Sequence, residues 1–558
     1  MLDPQAVATA QEWLASDLLP QDKEAIATIQ AERPEEFNEC FYQSLSFGTG
    51  GLRGIMRLGS NGINRYTIGL ATQGLATSLK GQPSPSVAIA YDSRNHSQDF
   101  ARLAAEVLAA NDIDVHLFDA LRPTPLLSFA VRELHCSAGI VITASHNPKE
   151  YNGFKVYQAD GGQIVPPVDQ MILDAVRGTR LHDIKWHGGK GTIRTVDASF
   201  DEVYYERLKQ LSLSSEGKQD YSIVFTALHG TSITMMPQAL KILGFENVHV
   251  LESQATPDGN FPTVQSPNPE EPAALALALA HAESTHADMV IGCDPDTDRV
   301  GIAVRDDQGQ MVLLNGNQAA SVLVDYVLGQ KQAQQSIPDH AFIASTVVTS
   351  PLLERVASSY DVPTEYTLTG FKWIANLIAT QPDKQFIVGG EESYGYLVGD
   401  FVRDKDAISS ACLLAEAAAF WSAQGSSFYQ RLIDLYSVHG VHHEVLKSFT
   451  FQGREGAEKI QSIMTQLRED CPSEIAGQEV AEILDFNATT RLNLPASNVI
   501  QLRMRNGDII TARPSGTEPK IKFYYCTRGN CVSDPIAYRR EVGMLNARIE
   551  AYQAVFGA

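Results

Sequence analysis

Four short polar segments carry the residue types of this chain that could do chemistry. In chain order they are T-A-S-H-N-P at 143–148, D-P-D-T-D-R at 294–299, G-E-E-S-Y-G at 390–395 and R-P-S-G-T-E-P-K at 513–520. Respectively they offer a hydroxyl that could carry phosphate, carboxylates for a hard cation, a turn that could bind sugar hydroxyls, and a cradle for an anion. Each segment alone is a weak signal, but the four in this order predict phosphoryl transfer on a sugar phosphate.

Ser145 follows a strand-like run at 139–143 and precedes His146. A serine at the corner between a strand and a loop could attack phosphorus or hold phosphate covalently. The neighbouring imidazole could relay a proton, and Lys155 could balance the phosphate charge. From this segment alone, an Asn-Pro turn capped by a hydroxyl is the simpler interpretation.

Asp294, Asp296 and Asp298 occupy alternate positions directly after an apolar run. Alternation places the three carboxylates on one side of an extended segment, so they can converge on one cation. An EF-hand needs Gly at the sixth loop position and an acid at the twelfth, but this chain has Arg299 and Arg305 there. Three protein oxygens leave room for further ligands, which suits Mg²⁺ and a phosphate oxygen. A solvated acidic surface run is the weaker alternative.

The two remaining segments have anion-binding and hydroxyl-binding side chains. Glu391 and Ser393 lie between glycines and could bind neighbouring sugar hydroxyls, although an acidic turn explains them equally well. The segment at 513–520 supplies a guanidinium, two hydroxyls, a glycine and an ammonium, which suit a phosphate dianion. A Pro-Gly loop between strands is the alternative for this segment.

Two further basic positions are candidates. G-T-G-G-L-R-G at 48–54 is rich in glycine and contains Thr49 and Arg53, but it lacks the spacing of a Walker loop or a dinucleotide fingerprint. We take Thr49 as a candidate substrate-binding residue and Arg53 as a candidate catalytic residue. Lys405 is a candidate substrate-binding residue within reach of the segment at 390–395. A surface salt bridge would explain Lys405 equally well.

The bulk properties limit the function classes. The chain has 558 residues, 44% hydrophobic and 20% charged, and a formal net charge of -22. This charge argues against nucleic acid or an anionic membrane as the main partner. Because a sugar phosphate is also an anion, we expect positive charge to be concentrated within the four segments.

The sequence also indicates the compartment. The start M-L-D-P-Q shows no signal peptide, and no apolar run is long enough to cross a bilayer. The seven cysteines are scattered without a C-x-x-C pair, which is typical of free thiols in a reducing cytoplasm. We therefore expect a cytoplasmic protein that is a monomer or a small homo-oligomer.

The fold class follows from repeated strand and helix patterns. Strand-like runs occur at 87–91, 115–118 and 139–143, and a helical face runs through 99–111. The same plan recurs at 222–226, 247–251 and 289–292, and again at 342–346, 364–368 and 386–388. Each block ends its last strand at one of the polar segments, where ligands are expected in open α/β sheets.

The last block differs, because turn signals at 506–507 and 529–530 flank strand-like runs at 508–512 and 521–527. We therefore predict three similar α/β domains with mixed sheets and a smaller C-terminal α+β domain. The expected bounds are 1–195, 196–312, 313–437 and 438–558.

Together the four segments resemble the α-D-phosphohexomutase family, which contains phosphoglucomutases and phosphomannomutases. The resemblance covers nearly the whole chain, from F-G-T at 47–49 to the phosphate segment near the C-terminus. It implies four domains around a central cleft, with the first three alike and the fourth mobile.

The resemblance also implies a role for each matched residue. Ser145 would be the phosphorylated serine, and its oxygen would complete an Mg²⁺ site with Asp294, Asp296 and Asp298. Arg299 would lie beside the phosphoserine, with His146 and Lys155 as candidates for proton transfer and charge balance. Glu391 and Ser393 would hold the O3 and O4 hydroxyls of the sugar. The phosphate that does not react would be held by Arg513, Ser515, Gly516 and Thr517.

The implied reaction interconverts glucose 1-phosphate and glucose 6-phosphate through phosphoserine and glucose 1,6-bisphosphate, which would also act as the activator. G-E-E-S-Y-G is more similar to the glucose-type version of the sugar segment than to the G-E-x-S-G version of dual phosphomannomutases. The segment at 47–54 is also similar to the branch that contains phosphopentomutases and sugar-bisphosphate synthases. Pentose and mannose phosphates therefore stay alternatives. A non-catalytic sugar-phosphate binder is a remote alternative, since such a protein would be expected to have lost Ser145 or an aspartate.

Overall fold

The structure is a computed structural model in which the chain forms two compact units. It describes residues 1–45, 51–451, 453–488, 492, 494–515 and 520–556. The first unit contains 1–212, 218–302 and 397–413, and the second contains 213–217, 303–396 and 414–558.

The first unit begins with a layer of three helices, α1 (Pro4–Leu14), α2 (Pro20–Glu32) and α3 (Pro34–Phe41). Each begins with proline, whose fixed φ suits the first helical turn and whose missing N–H is not needed there. The layer packs on Tyr66, whose hydroxyl donates to Asp22 at 2.6 Å and accepts from the Leu19 N–H at 2.9 Å.

A six-stranded mixed sheet follows. Its elements are β1 (Gly51–Ile55), α4 (Arg65–Ser78), β2 (Ser86–Tyr91), α5 (Ser97–Ala110), β3 (Asp114–Phe118), α6 (Thr124–Glu133), β4 (Ala138–Ile142), β5 (Tyr151–Gln158), α7 (Val168–Gly178) and β6 (Ile193–Val196). The strand order is β1-β5-β4-β2-β3-β6. The strands β4, β2, β3 and β6 are parallel, and β5 is antiparallel to both β4 and β1. The strands expected in the first block lie within one residue of these positions.

The second block repeats the plan. Its elements are α8 (Ser199–Lys209), β7 (Ile223–Thr226), α9 (Met236–Ile242), β8 (Val248–Val250), α10 (Pro272–Thr285) and β9 (Met289–Cys293). β7 lies between β8 and β9, and all three are parallel. The chain then turns at 294–299 and passes into the second unit along β10 (Val300–Arg305).

The second unit contains the third block. β11 (Met311–Leu313) comes first and pairs antiparallel with β10. The elements of the third block are α11 (Gly316–Ala333), β12 (Ala341–Thr346), α12 (Leu352–Ser358), β13 (Thr364–Thr367), α13 (Phe371–Thr380), β14 (Gln385–Glu391), β15 (Gly395–Val398), α14 (Ala407–Ala423) and α15 (Phe428–His439). β12 lies between β13 and β14 in parallel. The strand expected at 386–388 is longer than predicted and includes Glu391, because the strand continues through the glycine pair at 389–390.

The last block is an antiparallel sheet with two helices. Its elements are β16 (His442–Thr450), α16 (Gly453–Glu469), β17 (Glu474–Ile475), β18 (Gln478–Asp485), β19 (Ile500–Met504), β20 (Ile509–Pro514), β21 (Lys520–Arg528) and α17 (Pro535–Val555). The order is β16-β21-β20-β19-β18-β17. Arg513 and Pro514 belong to a strand rather than to the expected loop, because they pair with Lys522 and Ile521 of β21.

Three α/β blocks with mixed or parallel strands, followed by an antiparallel α+β block, confirm the predicted fold class. The domain bounds and the central cleft stay predictions. Among the described residues, no helix combines the length and the apolar character that a membrane span requires.

Asp406 fixes the segment that returns to the first unit. Its carboxylate accepts the N–H groups of Ile408 and Ser409 at 3.0 and 3.2 Å, at the start of α14. Its second oxygen accepts the hydroxyl of Tyr204 at 2.6 Å, and Asp406 is fully buried. The backbone next to Lys405 is therefore anchored at a helix start.

We expect Asp406→Ala to lower the free energy of unfolding by about 3 kcal/mol, because it removes a helix cap and leaves a buried hydroxyl unpaired. The matched control is Asp3→Ala, which removes an exposed cap made to Gln5 and Ala6 and should cost only about 1 kcal/mol. Urea unfolding of both variants measures the difference. Equal losses would contradict the role of the buried Tyr204 contact.

Candidate active site

Ser145 lies on a strained turn directly after β4. Its φ of 53° is in the left-handed region, which residues other than glycine rarely adopt. The Thr143 hydroxyl accepts its N–H at 2.8 Å. The Ser145 hydroxyl donates to Asp294 Oδ2 at 3.0 Å and lies 3.1 Å from His146 Nδ1. The turn thus aims one nearly buried hydroxyl at both a carboxylate and an imidazole.

The three aspartates form one buried cluster between β9 and β10. Their exposed fractions are 0, 0 and 2% in chain order, and one carboxylate oxygen from each lies within 4.8 Å of the others. The N–H groups of Asp298 and Arg299 both donate to Asp294 Oδ1 at 3.0 Å. The alternation in sequence therefore does bring the carboxylates to one place.

Two lysines from distant parts of the first unit meet this cluster. Lys155 Nζ lies 2.7 Å from Asp296 Oδ2 and 3.4 Å from Asp298 Oδ2. Lys405 Nζ lies 3.1 Å from the same Asp298 oxygen. Lys405 is 8% exposed, so the alternative of a surface salt bridge is wrong.

The charges shift the pKa values of the cluster in opposite directions. Burial, together with the neighbouring carboxylates of Asp296 and Asp298, raises the pKa of Asp294 well above its usual value. Burial alone would raise the pKa of Asp298, but Lys405 and Lys155 outweigh it and hold that pKa far below the usual value. Burial lowers the pKa of Lys155, and the Asp296 and Asp298 charges raise it by more. Lys155 is therefore an ammonium at neutral pH.

Asp296 and Asp298 each have one carboxylate oxygen that is available to bind a further ligand. Asp296 Oδ1 and Asp298 Oδ1 are buried and accept no hydrogen bond from the described residues. Their other oxygens face the lysines, and Thr124 also donates to Asp296 Oδ2 at 3.0 Å. Buried carboxylate oxygens without hydrogen-bond donors are costly unless a cation binds them. The donor set, all hard oxygens, fits Mg²⁺.

The segment around Lys405 is held by a hydrogen-bonded group that the sequence analysis did not identify. Asp404 Oδ1 accepts from Lys405 Nζ at 3.1 Å. Asp404 Oδ2 accepts from the Tyr157 hydroxyl at 2.7 Å and from the Gln163 amide at 3.1 Å. The lysine is thus shared between two carboxylates and has little freedom to move.

The remaining catalytic candidates surround the serine turn. Arg299 makes an ion pair with Glu270 and lies 3.8 Å from Asp298 Oδ1. Arg53 donates to Asn147 at 3.0 Å. Burial and the positive charges of Arg299 and Arg53 lower the pKa of His146 well below its usual value, so this imidazole is neutral at pH 7.

The sugar segment lies in the second unit, at the end of β14. Glu391 is buried, and its Oε1 accepts the Gly370 N–H at 2.7 Å. The Glu392 carboxylate accepts the Thr349 hydroxyl at 3.1 Å. The backbone of Glu392 passes so close to residue 316 that only glycine fits there. A Cβ on Gly316 would lie 2.1 Å from the Glu392 carbonyl oxygen. Ser393 lies on the turn that follows and is half-buried.

The phosphate segment is also in the second unit. Arg513 lies near the end of β20, and the Ser515 N–H donates to the Lys520 carbonyl at 2.7 Å. Burial raises the pKa of Tyr524; the Glu392 charge raises it further, and Arg513 lowers it. Charges of both the sugar and the phosphate segments therefore act on Tyr524. Thr49, Gly516 and Thr517 lie outside the described residues.

Arg94 and Glu270 are also part of the site and were missed from the sequence. The signal for Arg94 was present, because D-S-R at 92–94 follows the strand-like run 87–91 as the other polar segments follow theirs. Glu270 carries no such signal, since it lies far from any strand end along the chain.

Comparisons with known proteins agree with the geometry. Models described as phosphoglucomutase/phosphomannomutase alpha/beta/alpha domains I, II and III match residues 44–182, 202–309 and 315–438. A phosphoglucomutase of Staphylococcus aureus strain MRSA252 is 40% identical over 505 residues, covering 88% of this chain and 90% of its own length.

Two solved structures share the fold at low sequence identity. Parafusin, a phosphoglucomutase from Paramecium in its open form, has a TM-score of 0.70 and 19% identity and covers 92% of this chain and 96% of its own. A phosphoglucomutase/phosphomannomutase family protein from Burkholderia thailandensis has a TM-score of 0.67 and 20% identity and covers 92% and 98%. The three family models and the Staphylococcus aureus relative confirm the family predicted from the four segments: the chain belongs to the phosphoglucomutase/phosphomannomutase family.

Proposed function

We propose that the protein is a phosphoglucomutase that interconverts α-D-glucose 1-phosphate and glucose 6-phosphate. The observation that carries the proposal is the Ser145 hydroxyl, 3.0 Å from Asp294 and 3.1 Å from His146 beside three buried carboxylates. This arrangement suits a serine that holds a phosphoryl group between two half-reactions. The activity of the Staphylococcus aureus relative supports the same reaction.

Mg²⁺ is the metal that we propose for the aspartate cluster. Asp294, Asp296 and Asp298 would hold it together with an oxygen on Ser145. The lysines bound to the opposite carboxylate oxygens would orient these ligands, as outer partners do in metal sites. When bound, the ion would supply positive charge to the transferring phosphoryl oxygens.

The chain's own residues supply the proton balance that we propose for the transfer. The Oγ–P bond of phosphorylated Ser145 breaks while phosphorus bonds to the free hydroxyl oxygen of glucose 1-phosphate. The hydroxyl gives its proton to the neutral imidazole of His146, and the imidazolium gives a proton to the released Ser145 oxygen, which lies 3.1 Å from His146 Nδ1. Glucose 1,6-bisphosphate then reverses its orientation. Its other phosphate is transferred to Ser145 by the reverse steps. Lys155 stays protonated and balances charge, and we propose that Arg299 and Arg53 do the same.

The sugar and phosphate segments are the proposed binding residues for the rest of the substrate. Glu391, fixed by the Gly370 N–H, and Ser393 would bind the sugar hydroxyls. The non-reacting phosphate would be held by Arg513, Ser515, Gly516 and Thr517, with Thr49 and Lys405 as further substrate contacts. The free thiols of all seven cysteines support a cytoplasmic location.

The first test replaces the serine. Ser145→Ala should lower kcat below about a thousandth of wild type, because no other group can accept the phosphoryl. The matched control is Ser137→Ala at the opposite end of β4, whose hydroxyl accepts only a long contact from the Ser86 N–H at 3.4 Å. Intact-mass spectrometry should find one phosphate on wild type and none on Ser145→Ala. Substantial turnover by the alanine variant would refute the nucleophile.

The second test concerns the metal. Asp296→Asn should raise the Mg²⁺ concentration for half-maximal activity by about tenfold or more and lower kcat, because one charged ligand is lost. Asp288→Asn is the control, since Asp288 precedes β9 and accepts only the Ser222 N–H at 2.9 Å through its carboxylate. A Mg²⁺ titration of both variants decides the assignment. An Asp296→Asn curve that matches wild type would show that the metal lies elsewhere.

The third test concerns the sugar. With Mg²⁺ and a trace of the 1,6-bisphosphate, kcat/KM for glucose 1-phosphate should exceed those for mannose 1-phosphate and ribose 1-phosphate by about tenfold or more. The reason is that a buried site built for particular hydroxyls leaves its own polar groups unpaired with the wrong sugar. A higher value for ribose 1-phosphate would instead identify a phosphopentomutase.

A further inference from the structure

The guanidinium of Arg94 binds the backbone of the serine turn at four points. Its Nη2 donates to the Ser145 carbonyl at 2.6 Å and also to the Asn147 carbonyl. Its Nη1 donates to the Pro148 and Tyr151 carbonyls at 2.9 and 3.0 Å. One side chain thus spans the turn from the serine to the start of β5, and only a planar group with several donors can do this.

Arg94 is itself held in one orientation. Asp92, at the end of β2, lies 3.3 Å from Arg94 Nε, and both side chains are fully buried. Asp92 also accepts the Arg94 N–H at 2.9 Å and the Ser97 hydroxyl at 2.7 Å. A buried arginine whose charge is paired on one side and whose two terminal nitrogens bind four carbonyls on the other is rigid.

A loop from the second block covers the guanidinium. The Phe261 ring lies 5.1 Å from its central carbon. Gly259 comes so close that a Cβ there would lie 2.3 Å from the Asn95 nitrogen, and Asn95 donates to Asn260 at 3.2 Å. The loop keeps water away from the hydrogen bonds that hold the serine turn, which strengthens them.

We propose that Arg94 is a positioning residue for phosphoryl transfer: it holds Ser145 in its left-handed conformation so that the hydroxyl stays aimed at Asp294. The proposal rests on the phosphoserine mechanism proposed above. Arg94 contacts the backbone of the turn and not the Ser145 hydroxyl, so it acts through Ser145. The four hydrogen bonds from the Arg94 guanidinium to backbone carbonyls offset the cost of the unfavourable φ of Ser145. A cation of different shape could not make all four hydrogen bonds.

The deciding experiment uses Arg94→Lys, which keeps the charge opposite Asp92 but cannot reach four carbonyls. The rate of phosphoryl transfer from glucose 1,6-bisphosphate to dephosphorylated Ser145, followed by intact mass in a single turnover, should fall about 100-fold. KM for glucose 1-phosphate should stay within about threefold of wild type, since the substrate contacts are intact. The control is Arg431→Lys, the same change at an arginine that binds Asp325 at 2.7 and 2.8 Å in the second unit. It should transfer phosphate at the wild-type rate.

Chemical rescue separates positioning from a merely structural role. Millimolar guanidinium chloride should raise the transfer rate of Arg94→Ala by about tenfold through restored charged hydrogen bonds, with no gain for Arg431→Ala. A wild-type rate for Arg94→Lys overturns the proposal, whether or not the alanine variant folds. Loss of activity in a folded Arg94→Ala without any guanidinium gain also overturns it. If wild-type protein itself accepts no phosphate on Ser145, the proposed function fails instead.

Discussion

Three carboxylates buried in one turn are the constraint on which the rest of the first unit depends. Two unit charges about 4 Å apart repel by about 4 kcal/mol at an effective dielectric constant of 20. The aspartate oxygens lie within 4.8 Å of one another, away from water. Such a turn is stable only if positive charge is brought to it, and the fold brings Lys155 from β5 and Lys405 from the start of α14.

Backbone strain occurs in three of the polar segments. Ser145, Thr297 and Tyr394 all have φ between 53 and 65°, and each lies in one of the polar segments that follow a strand. A non-glycine residue in this region costs about 1 to 3 kcal/mol, so neighbouring contacts must impose it. At Ser145 they are Arg94 and the Thr143 hydroxyl, and at Thr297 the N–H groups of Thr231 and Ala407 bind the carbonyls of the same turn.

Sequence patterns predicted the strands well, but not which carboxylates the candidate cations contact, for a physical reason. A strand such as β2 is predicted from the apolar residues of the run 87–91 itself, so its position was found within one residue. The contact of Lys155 with Asp296 joins residues 141 apart, and no local pattern encodes it. Lys405 looked equally suited to the surface, because the Tyr157 hydroxyl that anchors its neighbour Asp404 comes from a different block. Arg94 was missed although its position after β2 matched that of the other polar segments.

A bound cation, as proposed above, would reconcile the negative net charge of the chain with an anionic substrate. The net charge is -22, and the cations at the site already face carboxylates: Lys155 faces Asp296, Lys405 faces Asp298 and Asp404, and Arg299 faces Glu270. A phosphate on Ser145 would add about 1.5 to 2 negative charges. A divalent cation bound by the unpaired aspartate oxygens would nearly cancel that addition. With the phosphoserine and the metal that we propose, phosphorylation and metal binding would therefore favour each other.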